Sequence, residues 1–142
     1  MHFDQLVNRF KDAWGMGRAG DRSRNHLRRM AQFGHKADRF IVDGDFLYLD
    51  ESRSATVRNR AELATAERRI EYVAPEELDA AIKQIVRDGV SASEDEICTL
   101  VTRLLGFART SQDMRDVLVR RIEALSDGAA LTKIGDRYSF PR

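Results

Sequence analysis

Apolar residues recur along this chain at helical spacing, and they do so in two separate stretches. From Pro75 onward, Leu78, Ala81, Ile82 and Ile85 fall on one stripe. They predict a helix opened by Ala74-Pro75-Glu76-Glu77, with proline at its first position and acids in its first turn, and stopped by Asp88-Gly89. Ile97, Leu100, Val101, Leu104 and Leu105 predict a second helix, entered through the capping box Ser93-x-x-Glu96 and ended at Gly106. A short turn, Phe107 to Ser111, leads to Met114, Leu118, Ile122 and Leu125, whose spacing predicts a third helix closing at Asp127-Gly128. Leu131 to Phe140 then reads as two short strands around Gly135-Asp136.

The same wording stands 91 residues earlier, without a gap, from Asp4 to Asp50 against Asp95 to Pro141. Identical pairs fix the register: Asp4/Asp95, Gly15/Gly106, Arg18/Arg109, Arg24/Arg115, Leu27/Leu118, Arg29/Arg120, Gly44/Gly135 and Asp45/Asp136. Average residue frequencies would give roughly three matches by chance. This first copy predicts a helix from Asp4 to Trp14, a second from about Asp21 to Phe33, and a hairpin over Arg39 to Leu49 with Asp43-Gly44 as the turn signal. Nothing equivalent to the Pro75 to Asp88 helix precedes Asp4.

The expected fold is therefore mainly α with small β-hairpins, arranged as tandem winged helix-turn-helix modules of which the first lacks its opening helix. The first module is placed at residues 1–50, a connector at 51–73 and the second module at 74–142. The connector reads as extended over Ala55 to Arg58, helical over Ala61 to Arg68 and strand-like over Ile70 to Val73. Two apolar helix faces in the first copy are left without a third partner. Either the connector packs there or the chain is a fragment of a longer protein, and the expectation is a parent sequence that continues upstream of His2.

No stretch approaches the roughly 20 apolar residues of a membrane span, and Met1-His2-Phe3-Asp4 opens no signal-peptide hydrophobic region. A cytoplasmic location without a membrane partner is expected. The single Cys98 stands opposite Val7 of the first copy and reads as a small buried hydrophobe.

Gly15-Met16-Gly17-Arg18-Ala19-Gly20 matches the dinucleotide-binding pattern G-x-G-x-x-G. That motif works only after a β-strand, where pyrophosphate meets a helix N-terminus. Here it follows an amphipathic helix, and its counterpart, Gly106 to Ser111, keeps only the first glycine. Gly15 and Gly106 read as helix C-terminal caps. His2, His26 and His35 show no metal-ligand spacing, and the acid pairs Asp43/Asp45 and Glu94/Asp95/Glu96 have roles as turn and cap. No catalytic residue, metal or cofactor is expected.

A net charge of +1 gives no whole-chain argument for nucleic acid, so the distribution must carry it. Opposite Leu27 on the first copy's second helix lie Arg22, Asn25 and Arg29; Arg28 borders that stripe and Arg18 sits in the turn leading in. The equivalent stripe of the second copy is Asp113, Asp116 and Arg120, which would repel phosphate. Arg18, Arg24 and Arg29 recur in the second copy and can equally serve the fold, whereas Arg22 and Arg28 become Asp113 and Val119. The candidate nucleic-acid contacts are Arg18, Arg22, Asn25, Arg28 and Arg29, with the hairpin near Asp43 to Phe46 as a wing. The rival reading is a docking module for other domains or for a second copy of the chain, which Asp113 and Asp116 favour for the second half.

The strings Asp12-Ala13-Trp14-Gly15-Met16-Gly17-Arg18-Ala19-Gly20, Gly44-Asp45-Phe46-Leu47, Ile70-Glu71-Tyr72-Val73-Ala74-Pro75-Glu76-Glu77 and Leu104-Leu105-Gly106-Phe107-Ala108-Arg109-Thr110 carry a family likeness over nearly the whole chain. They resemble the domain of unknown function at the C-terminal end of very large bacterial superfamily-1 DNA/RNA helicases, where it follows the motor and a Vsr-like nuclease segment. The resemblance implies a DNA-processing or defence setting, with helicase or nuclease domains of the parent chain as partners. Those domains' ATP-binding motifs and nuclease carboxylates have no matching positions here, so neither activity carries over.

Overall fold

The computed structural model describes residues 1–51, 53 and 55–142. It is mainly helical with small antiparallel β-hairpins, and it divides into two compact units, Met1–Ser54 and Ala55–Arg142.

The first unit contains helices α1 (Phe3–Ala13) and α2 (Asp21–Lys36) and a hairpin of β1 (Ile41–Asp43) with β2 (Phe46–Tyr48). Helix α1 opens on a capping box in which His2 replaces the usual hydroxyl: its Nδ1 accepts from the Asp4 N–H (3.1 Å), and the Gln5 side chain accepts from the His2 N–H (3.3 Å). Met1 and Leu47 exchange backbone hydrogen bonds, each 2.8 Å, so the N-terminal residues pair with the hairpin. Helix α2 runs one turn further than Phe33, because Gly34 lets the Phe40 ring pack where a Cβ would stand 2.5 Å from it. The hairpin turn is Gly44-Asp45, one residue later than expected: Asp43 pairs with Phe46, and Gly44 supplies the positive φ of +56°.

The second unit contains α3 (Pro75–Asp88), β3 (Ser91–Ser93), α4 (Glu94–Leu104), α5 (Gln112–Asp127), β4 (Thr132–Ile134) and β5 (Arg137–Ser139). Its strands form one antiparallel sheet in the order β3-β5-β4. Strand β3 was not foreseen in the sequence, since Ser-Ala-Ser has little strand propensity and only its pairing with β5 makes it one. The capping box Ser93/Glu96 is present, and Gly89, Gly106 and Gly128 follow the helices as expected. Leu100 lies off the buried stripe of α4 and is exposed, while Cys98 takes a core position beside Ile97 and Val101.

Residues 55–73 belong to the second unit. Val57 lies against its core, and Ile70 and Val73 are part of it. Ile70–Tyr72 is a single 3-10 turn, not a strand: the Val73 N–H donates back to the Ile70 carbonyl, and one turn buries three apolar side chains with no sheet edge at hand. Ala61 to Arg68 forms turns and not a helix, being exposed and too short to hold a helical nucleus without packing.

The segment is locked by a buried ion pair. Glu77, in the first turn of α3, accepts from Arg60 Nη1 (2.8 Å) and Nη2 (2.7 Å) and from the Arg58 N–H (2.9 Å) and Nη2 (3.0 Å). Arg60 and Glu77 are both almost completely enclosed. Burial alone would raise the Glu77 pKa, but the hydrogen bonds from the two arginines outweigh it and hold the carboxyl below its ordinary value.

The element bounds of the first unit return in the second shifted by 91 residues: α1 as α4, α2 as α5, β1 as β4, β2 as β5. Positive φ recurs at Gly15 and Gly106 (+60° and +85°) and at Gly44 and Gly135 (+56° and +64°). Asp4 pairs with Arg24 as Asp95 pairs with Arg115.

These contacts set measurable outcomes. Glu77→Gln should destabilise the second unit by about 3 kcal/mol, since it leaves a buried arginine without its counter-charge. The ion pair's stabilisation is present above the unfolded carboxylate pKa and is lost as pH falls through the lowered folded value, so urea midpoints should decline on acidification in the parent and less so in the variant. Gly106→Ala should cost roughly 3 kcal/mol, because a Cβ there would meet the Ala61 nitrogen at 2.4 Å and the Arg60 nitrogen at 2.6 Å in addition to the φ strain. Gly15 has nothing within 4 Å, so Gly15→Ala should cost only about 1 kcal/mol by the same denaturation measurement.

Candidate nucleic-acid interface

Helix α2 carries the candidate residues, and its entry differs from that of its counterpart. Ser111 caps α5 by accepting from the Met114 N–H, whereas Gly20 precedes α2 and offers no side-chain cap. The start of α2 thus has no side-chain cap, with Arg18 just before it and Arg22 in its first turn.

Arg18, Arg22, Asn25 and Arg29 are all exposed, and among the described residues none of the three arginines makes an ion pair. Arg22 and Arg29 line, with Phe10, Ser23 and His26, an open groove of about 330 Å³. Phe10, from α1, is the apolar member of that lining.

Arg28 is placed differently. Its Nη2 lies 3.0 Å from Asp45 Oδ1 at the hairpin turn, and its guanidinium stacks 4.3 Å from the centre of the Phe3 ring. Arg24 is held by Asp4 and also lies over Phe3. Both arginines therefore fasten α2 to the rest of its unit. At the hairpin, Asp43 pairs with Arg53 (2.7 Å), which stacks on Tyr48.

The same face of α5 has the opposite character. Asp113 and Asp116 are exposed there, Asp116 accepts from the Gln112 side chain (2.8 Å), and Arg120 follows. The shared ion pair Asp95/Arg115 accounts for one recurring arginine, as Asp4/Arg24 does in the first unit.

Among the described residues no group of three His, Cys, Asp or Glu side chains is placed to hold a metal. Gly15 follows α1 in left-handed geometry, which is the cap reading of the G-x-G-x-x-G string. Cys98 is fully buried, and that burial, helped by nearby Glu94, pushes its thiol up to about 11. Among the described residues no helix is long and apolar enough to cross a membrane.

Sequence reasoning missed two contributors. The cap role of His2 was hidden because histidine is not a typical N-cap residue, although Gln5 three residues on was a usable signal. The place of Phe10 in the groove lining with Arg22 and Arg29 was hidden because it depends on α1 and α2 lying together.

The chain matches no protein-family model, no curated protein and no solved structure.

Cys98 gives a direct check on the packing of α4. Its thiol should react with a disulfide reagent at least ~100-fold more slowly in the native chain than in urea, since the thiolate is the reacting form.

Proposed function

We propose that this chain is a non-catalytic nucleic-acid-binding region made of two winged-helix modules, in which α2 of the first meets phosphate and the β1–β2 hairpin serves as its wing. Support for the winged-helix reading comes from the order of elements in the second unit, helix, strand, helix, helix and two strands, with the sheet closing in the order β3-β5-β4. The shared element bounds at a shift of 91 residues support a duplicated module.

The observation that carries the reading is the charge contrast between equivalent helices. Among the described residues Arg22 and Arg29 stand exposed and without an ion pair beside an uncapped helix start, where α5 presents Asp113 and a serine cap. Arg18 and Asn25 extend that surface, and Arg28 ties it to the hairpin through Asp45. Guanidinium groups suit bidentate phosphate contacts, and the helix N-terminus favours the same charge. The likeness to the C-terminal region of large helicases gives the proposed setting: a cytoplasmic DNA-processing protein whose motor or nuclease domains this region serves by positioning the strand.

Fluorescence anisotropy with labelled duplex and single-stranded DNA across a salt series tests the reading. The parent chain should bind at micromolar concentration or tighter, with affinity falling linearly on a log-log salt plot. Arg22→Glu/Arg29→Glu should weaken binding at least ~10-fold and flatten the slope by about 2. Absence of binding at ~50 mM salt would overturn it.

A further inference from the structure

The two units treat the same helix surface in different ways. In the second unit α3 closes over α4 and α5: Leu78, Ile82 and Val86 join Val101, Leu105 and Ile122 in one buried cluster. Arg121 reaches across to Asp79, with Nε 2.8 Å from Oδ1, and the Arg60 N–H donates to the Leu105 carbonyl (2.9 Å) at the end of α4. Shifted back by 91 residues, Val101, Leu105 and Arg121 become Phe10, Trp14 and Met30.

Trp14 is 72% exposed where Leu105 is fully buried, and Met30 is 53% exposed. The Phe10 and Trp14 rings lie 5.7 Å apart, and Phe10 lines the groove with Arg22, His26 and Arg29. Isolated exposed apolar residues are ordinary, but these three occupy the positions that α3 and its leading segment cover in the other unit.

We propose that this face of the first unit docks an acidic amphipathic helix from a partner protein, seated across α1 and α2 as α3 is seated across α4 and α5. The internal counterpart supplies the form of the occupant: a helix with an apolar stripe like that of Leu78, Ile82 and Val86. The charge supplies its flanks, since Arg22 and Arg29 line the groove without carboxylate partners among the described residues and call for Asp or Glu on the docking helix. A second copy of the chain is the poorer occupant. Face-to-face pairing would bring these arginines together, and the copy's own α3 is held by Glu77 between Arg58 and Arg60. This inference rests on the correspondence of the two units and not on nucleic-acid binding.

Trp14 is the sole tryptophan, so its emission reports the site directly in the full chain. The probe is a synthetic peptide of residues 69–88 carrying Asp79→Leu, because the position facing Asp79 is Met30 in the first unit, and Lys83→Glu and Arg87→Glu, which make its polar face acidic. Titration should blue-shift Trp14 emission saturably, with a Kd in the micromolar range. Met30→Glu, a change at an exposed position whose retained fold is checked by circular dichroism, should weaken binding at least ~10-fold, and Arg22→Glu/Arg29→Glu should weaken it too. No shift at ~500 μM peptide, or a shift that Met30→Glu leaves unchanged, would overturn the proposal. DNA anisotropy on the same samples reads the nucleic-acid reading separately, so either can fail alone.

Discussion

One carboxylate organises the larger half of this chain. Glu77 stands in the first turn of α3, almost fully enclosed, and receives four hydrogen bonds from two arginines that belong to the segment before the helix. Such a group cannot be left charged in an apolar setting, so the chain from Arg58 to Arg60 is obliged to lie against α3. Once there, the Arg60 backbone meets the end of α4, and the turn at Gly106 must be bare to admit it. The angle of α3, the exit of α4 and the course of residues 55–61 are thus one solution to a single electrostatic problem.

The first unit solves its packing without that device. Its described residues bury only Phe3, Val7 and Ala31 among apolar side chains, and its arginines substitute stacking for aliphatic depth, with Arg24 and Arg28 both over Phe3. Ion pairs to Asp4 and Asp45 hold α2 against α1 and the hairpin. These pairs are half exposed, and each adds little beyond geometry. What they leave over is a helix whose other arginines have no internal duty.

Much of the fold was legible because its signals are local. The apolar spacing of Leu118, Ile122 and Leu125, the Ser93/Glu96 box and the Gly135 turn each fix their element within a few residues, and the structure keeps them. The elements that escaped depend on partners far along the chain. Ser91–Ser93 is a strand only beside β5, and Ile70–Tyr72 turns inward because a core is waiting for it. The candidate residues were legible only as positions on a helix. Arg22 and Arg29 could be placed on one stripe by periodicity, whereas the anchoring of Arg28 by Asp45 required the hairpin to fold back on α2, which no spacing reveals.

The shallow core of the first unit has a thermodynamic consequence for anything that contacts it. A unit of this size with so few enclosed side chains opens at low free-energy cost, so its helices and hairpin belong to the least protected part of the molecule in hydrogen exchange. Any ligand that prefers the closed form adds its binding free energy to that form's stability. For such a ligand, occupancy and local order of the α1–α2 pair would be a single equilibrium.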